Sequence, residues 1–254
     1  MSKVEIKTIG VMTSGGDSPG MNAAIRAVSR ACASLGIKCK GIRMGYKGLI
    51  EDDVIDLGPR DVSNIINRGG TILKTARCLE FKTPEGRAIA YKNFKKHGMD
   101  ALVVIGGDGS FTGAMLLHKE HGVPVVGVPG TIDNDIFGTD FTVGYDTALN
   151  TVVSAIDKIR DTAQSHDRMF FIEVMGRDAG FIALNTGIAT GATDILIPES
   201  KDSIDDLFTA IDHAEENGRK SNIIVVSEGE KMAGIYDIAN FVKIKYPTYD
   251  VRVT

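Results

Sequence analysis

Short apolar runs alternate along this chain with longer stretches whose apolar residues recur at helical spacing. The runs Ile6–Met12, Lys38–Ile42, Ala101–Ile105, Val123–Val128, Met169–Val174, Ile195–Ile197 and Ile223–Val226 read as strands. Helices fit Met21–Ser34, with apolar positions at Ala24, Ala27, Val28 and Ala31, and then Arg87–His97 and Thr112–His121. Further helices fit Thr147–Thr162, Ala179–Thr190, Ser203–Asn217 and Ile235–Lys245. Such alternation predicts an α/β fold of parallel-type sheets flanked by helices, with ligands at the carboxyl ends of strands. The pattern changes near Gly138–Gly144, which predicts two domains, residues 1–143 and 144–254, with the active site in the cleft between them.

Composition narrows the class. At 254 residues, with 43% hydrophobic and 24% charged residues, the chain can bury a substantial core. A net charge of −4 without a Lys/Arg block argues against a nucleic-acid partner. Cys32, Cys39 and Cys78 lack metal-ligand spacing and make no disulfide framework, as expected of reduced thiols in the cytoplasm. The histidines show no zinc pattern, the N-terminus carries no apolar signal core, and no run is long enough to cross a membrane.

Candidate chemistry sits in Gly-rich turns that follow strands. Thr13-Ser14-Gly15-Gly16-Asp17 precedes a helix, and Gly106-Gly107-Asp108-Gly109-Ser110 follows the run Ala101–Ile105. Turns without Cβ atoms let backbone N–H groups close on phosphate, and an Asp inside one can hold Mg²⁺. Gly-Gly-Asp is also a common plain turn, but three Gly-rich strand-to-helix loops in one chain exceed what chain reversal needs. Pro129-Gly130-Thr131-Ile132-Asp133-Asn134-Asp135 places two carboxylates two residues apart, where one can take a proton from a hydroxyl. Arg68-Gly69-Gly70 leads to Arg77, a guanidinium suited to a triphosphate. Downstream, Arg168 and Arg177 suit a sugar phosphate, and Glu228 can accept from hydroxyls or cap a loop.

These segments, in this order, resemble ATP-dependent 6-phosphofructokinase of the bacterial type, from Ile9 to Arg252. Gly-Gly-Asp-Gly-Ser alone is weak, since NAD kinases and lipid kinases carry similar loops. Pro-Gly-Thr-Ile-Asp-Asn-Asp together with Met175-Gly-Arg-Asp-Ala-Gly is specific. The resemblance implies glycolytic transfer of the γ-phosphoryl group of Mg²⁺–ATP to the 1-hydroxyl of fructose 6-phosphate. It implies an ATP/Mg²⁺ domain lined by Gly16, Tyr46, Arg77, Cys78, Gly109, Ser110 and Gly113, with Asp108 at the metal. Asp133 would be the general base, with Asp135, Thr131, Arg77 and Gly16 assisting. Arg168, Met175, Gly176, Arg177, Glu228 and Arg252 would bind the sugar phosphate, together with Thr131 and Asp133. In the family, the arginines matching Arg168 and Arg252 reach across from a neighbouring subunit, which implies a homo-oligomer, commonly a tetramer.

Several positions depart from the family pattern. The chain stops at Thr254, short of a family His-Ile-Gln-Arg-Gly-Gly motif and of segments that return to the first domain, which predicts a C-terminally truncated chain. An ADP or phosphoenolpyruvate effector site would use Arg26, Arg30, Arg160, Gly191 and Arg219, yet Pro59, Thr193 and Asn217 replace an arginine, a glutamate and a lysine. Arg26 and Arg30 read equally well as a solvated basic face. Lys82 stands where an arginine is common and loses its bidentate fork. Glycine at 109 and 130, where pyrophosphate users carry Asp and Lys, favours ATP. The alternatives are a pyrophosphate-dependent relative and an impaired or regulatory nucleotide-binding fragment. An NAD kinase leaves Asp133, Arg168 and Arg177 unexplained.

Overall fold

Two compact units, Met1–Ile132 with Ile136–Gly144 and Asp133–Asp135 with Tyr145–Thr254, make up a computed structural model that describes residues 5–219 and 221–254. Residues 1–4, the start of the N-terminus without a signal core, lie outside the described residues.

The strands of the first unit are β1 (Thr8–Ser14), β2 (Lys38–Ile42), β3 (Val54–Asp56), β4 (Ala101–Gly106), β5 (Val125–Thr131) and β6 (Val143–Gly144). They form one sheet of order β3-β2-β1-β4-β5-β6. Every pairing is parallel except β2 with β3, an antiparallel edge that the parallel expectation missed. Helices α1 (Met21–Ser34), α2 (Gly45–Ile50), α3 (Pro84–Lys96) and α4 (Asp108–His121) accompany it. Met12 and Val104 are fully buried, as expected of parallel strands covered on both faces. Each large apolar side chain so buried contributes ~1.5–3 kcal/mol.

Three boundaries in this unit shift in ways that matter. β1 starts later and runs through Ser14, so the first Gly-rich loop leaves the sheet directly. α4 begins at Asp108 rather than Thr112, which makes Asp108-Gly109-Ser110 the first turn of a helix. β5 continues through Pro129-Gly130-Thr131 instead of ending at Val128. On α1 the buried stripe is Met21, Ile25, Ser29 and Cys32, while Ala27 and Ala31 are exposed. A buried serine hides that stripe from an apolar count; its hydroxyl donates to the Leu57 carbonyl at 2.9 Å.

In the second unit, α5 (Tyr145–Ser165), β7 (Arg168–Val174), α6 (Phe181–Thr190) and β8 (Asp194–Leu196) are followed by α7 (Ile204–Glu216), β9 (Asn222–Ser227), α8 (Ile235–Lys245) and β10 (Asp250–Val253). Its sheet has the order β10-β7-β9-β8 and is parallel throughout. Its core gathers Met169, Phe171, Ile224 and Val226 with Leu207 and Ile211 of α7 and Ile238 and Val242 of α8. Among the described residues, no helix is long and apolar enough to cross a membrane.

Candidate active site

The two Gly-rich loops of the first unit leave adjacent strands. Ser14 at the end of β1 lies opposite Gly106 at the end of β4. From this pair the chain winds outward both ways, through β2 and β3 on one side and β5 and β6 on the other. That is the topological switch point where open parallel sheets hold ligands. The approach is close: a Cβ at Gly106 would stand 2.4 Å from the Ser14 carbonyl oxygen and 2.8 Å from Ser110 Oγ. Gly16 and Gly109 are exposed, and a side chain at either would meet nothing within 4 Å.

The first turn of α4 carries Asp108, Gly109 and Ser110, and its N-cap, Gly107, supplies no side-chain acceptor. Free N–H groups at a helix start favour phosphate. Asp108 is exposed. Among the described residues no group of three or more His, Cys, Asp or Glu could hold a metal by itself. A single carboxylate still suits Mg²⁺, which commonly takes one or two carboxylates and fills its shell with phosphate oxygens and water.

Tyr46 supports this turn, and Gly113 further along α4 makes room for it. Tyr46 is buried, and its hydroxyl donates to the Ser110 carbonyl at 2.6 Å. Burial raises its phenol pKa above the ordinary range. Its ring stacks on Phe81 at 3.8 Å, and a Cβ at Gly113 would come within 3.0 Å of that ring. Gly113, within α4, thus leaves room for the Tyr46 ring to pack against the helix, with Cys78 half-buried beside the same core.

The loop leading to Arg77 is fixed by side chains to which the motif reading gives no role. Asn22 donates to the Arg68 carbonyl at 2.9 Å and accepts from the Ile72 N–H at 2.8 Å. Thr13 Oγ1 meets Thr71 Oγ1 at 2.9 Å and donates to the Lys74 carbonyl at 3.0 Å. Arg77 is exposed at the loop's end. Thr131 closes β5, and its carbonyl accepts from the Thr142 hydroxyl at 2.7 Å.

In the second unit, Asp133 is 9% exposed and its Oδ2 lies 3.9 Å from Arg177 Nε, while Asp135 is exposed. Arg177 has φ 54°, an unusual left-handed conformation for a residue with a side chain. Glu228 Oε1 stabilises it by accepting from the N–H groups of Gly176 and Arg177 at 3.1 and 2.6 Å. One Glu228 oxygen thus binds the chain itself rather than standing wholly free for a substrate hydroxyl. Met175 is 60% exposed beside this turn. Arg168 and Arg252 are joined through Asp250: Arg168 Nε donates to Asp250 Oδ2 at 2.8 Å, and Arg252 Nε lies 2.9 Å from Oδ1. Arg252, then Arg168, holds the Asp250 carboxyl below the usual carboxylate range.

The residues expected of an effector site are partly engaged by the chain. Arg26 donates to the Val62 carbonyl at 3.0 Å, and Arg160 donates to the Thr190 carbonyl beside Gly191, which ends α6 with φ 63°. Arg30 and Arg219 are exposed. Thr193 donates to Asn222 Oδ1 at 3.0 Å, and Asn217 ends α7, donating to the His213 carbonyl at 2.7 Å.

Comparison with known proteins places these loops in a lineage. A family model described as phosphofructokinase matches residues 8–254. "ATP-dependent 6-phosphofructokinase 2" of Bacteroides thetaiotaomicron is 58% identical over 249 residues, 98% of this chain and 76% of the relative. "ATP-dependent 6-phosphofructokinase 1" of Thermus thermophilus is 58% identical over 229 residues, 90% of this chain and 71% of the relative. Among solved structures, phosphofructokinase from Saccharomyces cerevisiae superposes with a TM-score of 0.91 at 39% identity, covering 98% of this chain. The chain spans 37% of that longer yeast chain. With the family matched across nearly its whole length and bacterial relatives this similar, the chain belongs to the phosphofructokinase family, among its ATP-dependent 6-phosphofructokinases.

Proposed function

We propose that this chain transfers the γ-phosphoryl group of ATP to the 1-hydroxyl of fructose 6-phosphate, with Asp133 as general base. The observation that carries the reading is Asp133 itself, a nearly buried carboxylate with the exposed Arg177 guanidinium 3.9 Å away. Phosphoryl transfer needs alignment and neutralisation of charge on the phosphate oxygens more than covalent help. Amides around Gly16 and in the first turn of α4 donate to the nucleotide phosphates, and Arg77 adds an exposed positive charge. Asp108 would hold Mg²⁺, which when bound neutralises charge between phosphates. Asp133 accepts the hydroxyl proton, Thr131 and Asp135 help to orient the groups around it, and Arg177, Arg168 and Arg252 hold the sugar's phosphate. Met175 and Gly176 shape the wall beside it.

Glycine at 130 supports ATP over pyrophosphate as donor. A Cβ there would meet Ile105 at 3.1 Å and Met21 at 3.4 Å, which leaves little room for a lysine. Partners proposed with this reading are ATP, fructose 6-phosphate and further copies of the chain in a cytoplasmic homo-oligomer. ADP and phosphoenolpyruvate act weakly as effectors, because Pro59, Thr193 and Asn217 leave the arginines short of companions.

The test is ADP release from Mg²⁺–ATP with fructose 6-phosphate, comparing the chain with Asp133→Asn. A general base contributes about 10²–10⁴-fold, so kcat falls by that order while ATP binding holds. Equal turnover by both proteins would remove Asp133 from the chemistry. Turnover with pyrophosphate but not ATP would reverse the donor assignment.

A further inference from the structure

Arg168 opens β7 and Asp250 opens β10, and the two are register partners in a parallel pair. Arg252 follows two residues later, on the same face of β10 as Asp250. The resulting cluster is a carboxylate between two guanidiniums. Asp250 Oδ2 accepts from Arg168 Nε at 2.8 Å and from Arg252 Nη2 at 3.0 Å, while Oδ1 lies 2.9 Å from Arg252 Nε.

This arrangement does more than neutralise charge. Two guanidiniums on neighbouring strands repel each other, and each long side chain has several rotamers of similar energy. A carboxylate shared by both removes the repulsion and selects one rotamer for each. It does so mainly through the Nε edges. An arginine has five N–H donors, so terminal N–H groups of Arg168 remain to grip an anion. With side-chain exposures of 27% for Arg168 and 55% for Arg252, both reach solvent from this face.

We propose that Asp250 is a positioning residue of the sugar-phosphate site, holding Arg168 and Arg252 as one preset pair of phosphate ligands. The inference rests on reading those two arginines as phosphate ligands. The alternative role for a carboxylate in this place is a competitor, which occupies the arginines and weakens substrate binding. The two roles predict opposite signs.

Three variants of the full chain separate them: Asp250→Ala, Asp250→Asn and Asp250→Glu. Freeing two long side chains that substrate must then immobilise raises KM for fructose 6-phosphate about tenfold in Asp250→Ala. In that variant kcat and the KM for ATP stay within about twofold of the parent, and Asp250→Glu recovers most of the loss. Asp250→Asn, which keeps an acceptor but no charge, falls between. A lower KM in Asp250→Ala and Asp250→Asn, or an unchanged one, overturns the proposal.

A second readout needs no turnover. The Nε–H resonances of Arg168 and Arg252, identified with Arg168→Lys and Arg252→Lys, are protected from solvent exchange in the parent and lose that protection in Asp250→Ala. Equal protection in parent and variant overturns positioning. Should the parent chain lack turnover, the kinase reading fails, and titration with inorganic phosphate then decides the inference. Both arginine signals shift at lower phosphate concentration in the parent than in Asp250→Ala, and the reverse order overturns it.

Discussion

Glu228 Oε1 sits 2.6 Å from the backbone nitrogen of Arg177, across 51 residues of sequence. The same oxygen accepts from Gly176, so one carboxylate holds a turn in which Arg177 takes a left-handed backbone. Where Arg177 points, and how it faces Asp133, therefore depends on Glu228.

Glu228→Ala releases that turn. Stability falls by about 1 kcal/mol, at the low end for an unmade hydrogen bond because water reaches this exposed residue. KM for fructose 6-phosphate rises, while KM for ATP is unmoved. Urea unfolding and steady-state kinetics on both substrates check this; a change in ATP affinity alone would place Glu228 elsewhere in the mechanism.

Gly106→Ala and Gly109→Ala make a paired comparison. The first drives a methyl against the Ser14 carbonyl oxygen at 2.4 Å, backbone that cannot swing aside, and costs ~1–3 kcal/mol. At position 109 the new methyl meets nothing within 4 Å, so the fold keeps its stability and only nucleotide affinity changes. Thermal unfolding of both variants, with and without Mg²⁺–ATP, separates the two effects.

Tyr46→Phe deletes the hydroxyl that donates to Ser110 but leaves the stack on Phe81. A loss of ~0.5–1.5 kcal/mol is expected, with faster amide exchange in the first turn of α4. Unchanged exchange at residues 108–112 would show that the turn is held by other contacts.

Asp194 sets a pH dependence of its own. Burial raises its carboxyl pKa above the unfolded value, so the stability linked to it is present at low pH and is lost as pH rises through the folded value. Asp194→Asn therefore stabilises the chain at pH 7 and has little effect near pH 3. Asp52, Asp56, Glu120, Asp206 and Asp250 have the opposite sign. Hydrogen bonds and cationic or hydroxyl neighbours lower their folded values, and their contribution is present above the unfolded carboxyl range and fades as pH falls through the folded one. Melting temperature against pH for parent and Asp194→Asn shows a gap that widens toward neutrality.

Regular segments were legible where local pattern and tertiary demand agree. β2, α1 and α8 fall on the residues that periodicity assigns them. α2 was invisible because six residues with two glycines show no period, and β10 because Asp-Val-Arg-Val reads as a polar end until β7 pairs with it. The start of α4 was hidden by Gly109 and Gly113, whose composition resembles a loop. Candidate site residues are named by motif and resemblance, but most of the groups that hold them are not. Asn22 on the Arg77 loop and Asp250 between two arginines each join segments far apart in sequence, and Tyr46, expected in the ATP site, is also joined to distant Ser110. No local signal encodes such pairings.

Helix starts in this chain fall into two kinds. α3 and α7 begin at Thr83 and Ser203, whose hydroxyls accept from their own first turns. α1 and α4, which begin at Gly20 and Gly107 beside the Gly-rich loops, have no such acceptor, and neither do α2, α6 and α8. Under the proposed function, a nucleotide phosphate would give the first N–H groups of α4 the acceptor that Gly107 has no side chain to supply. Serine or aspartate at 107 would make a sturdier helix and a poorer enzyme. Selection for shelf life and selection for catalysis would pull that single position in opposite directions.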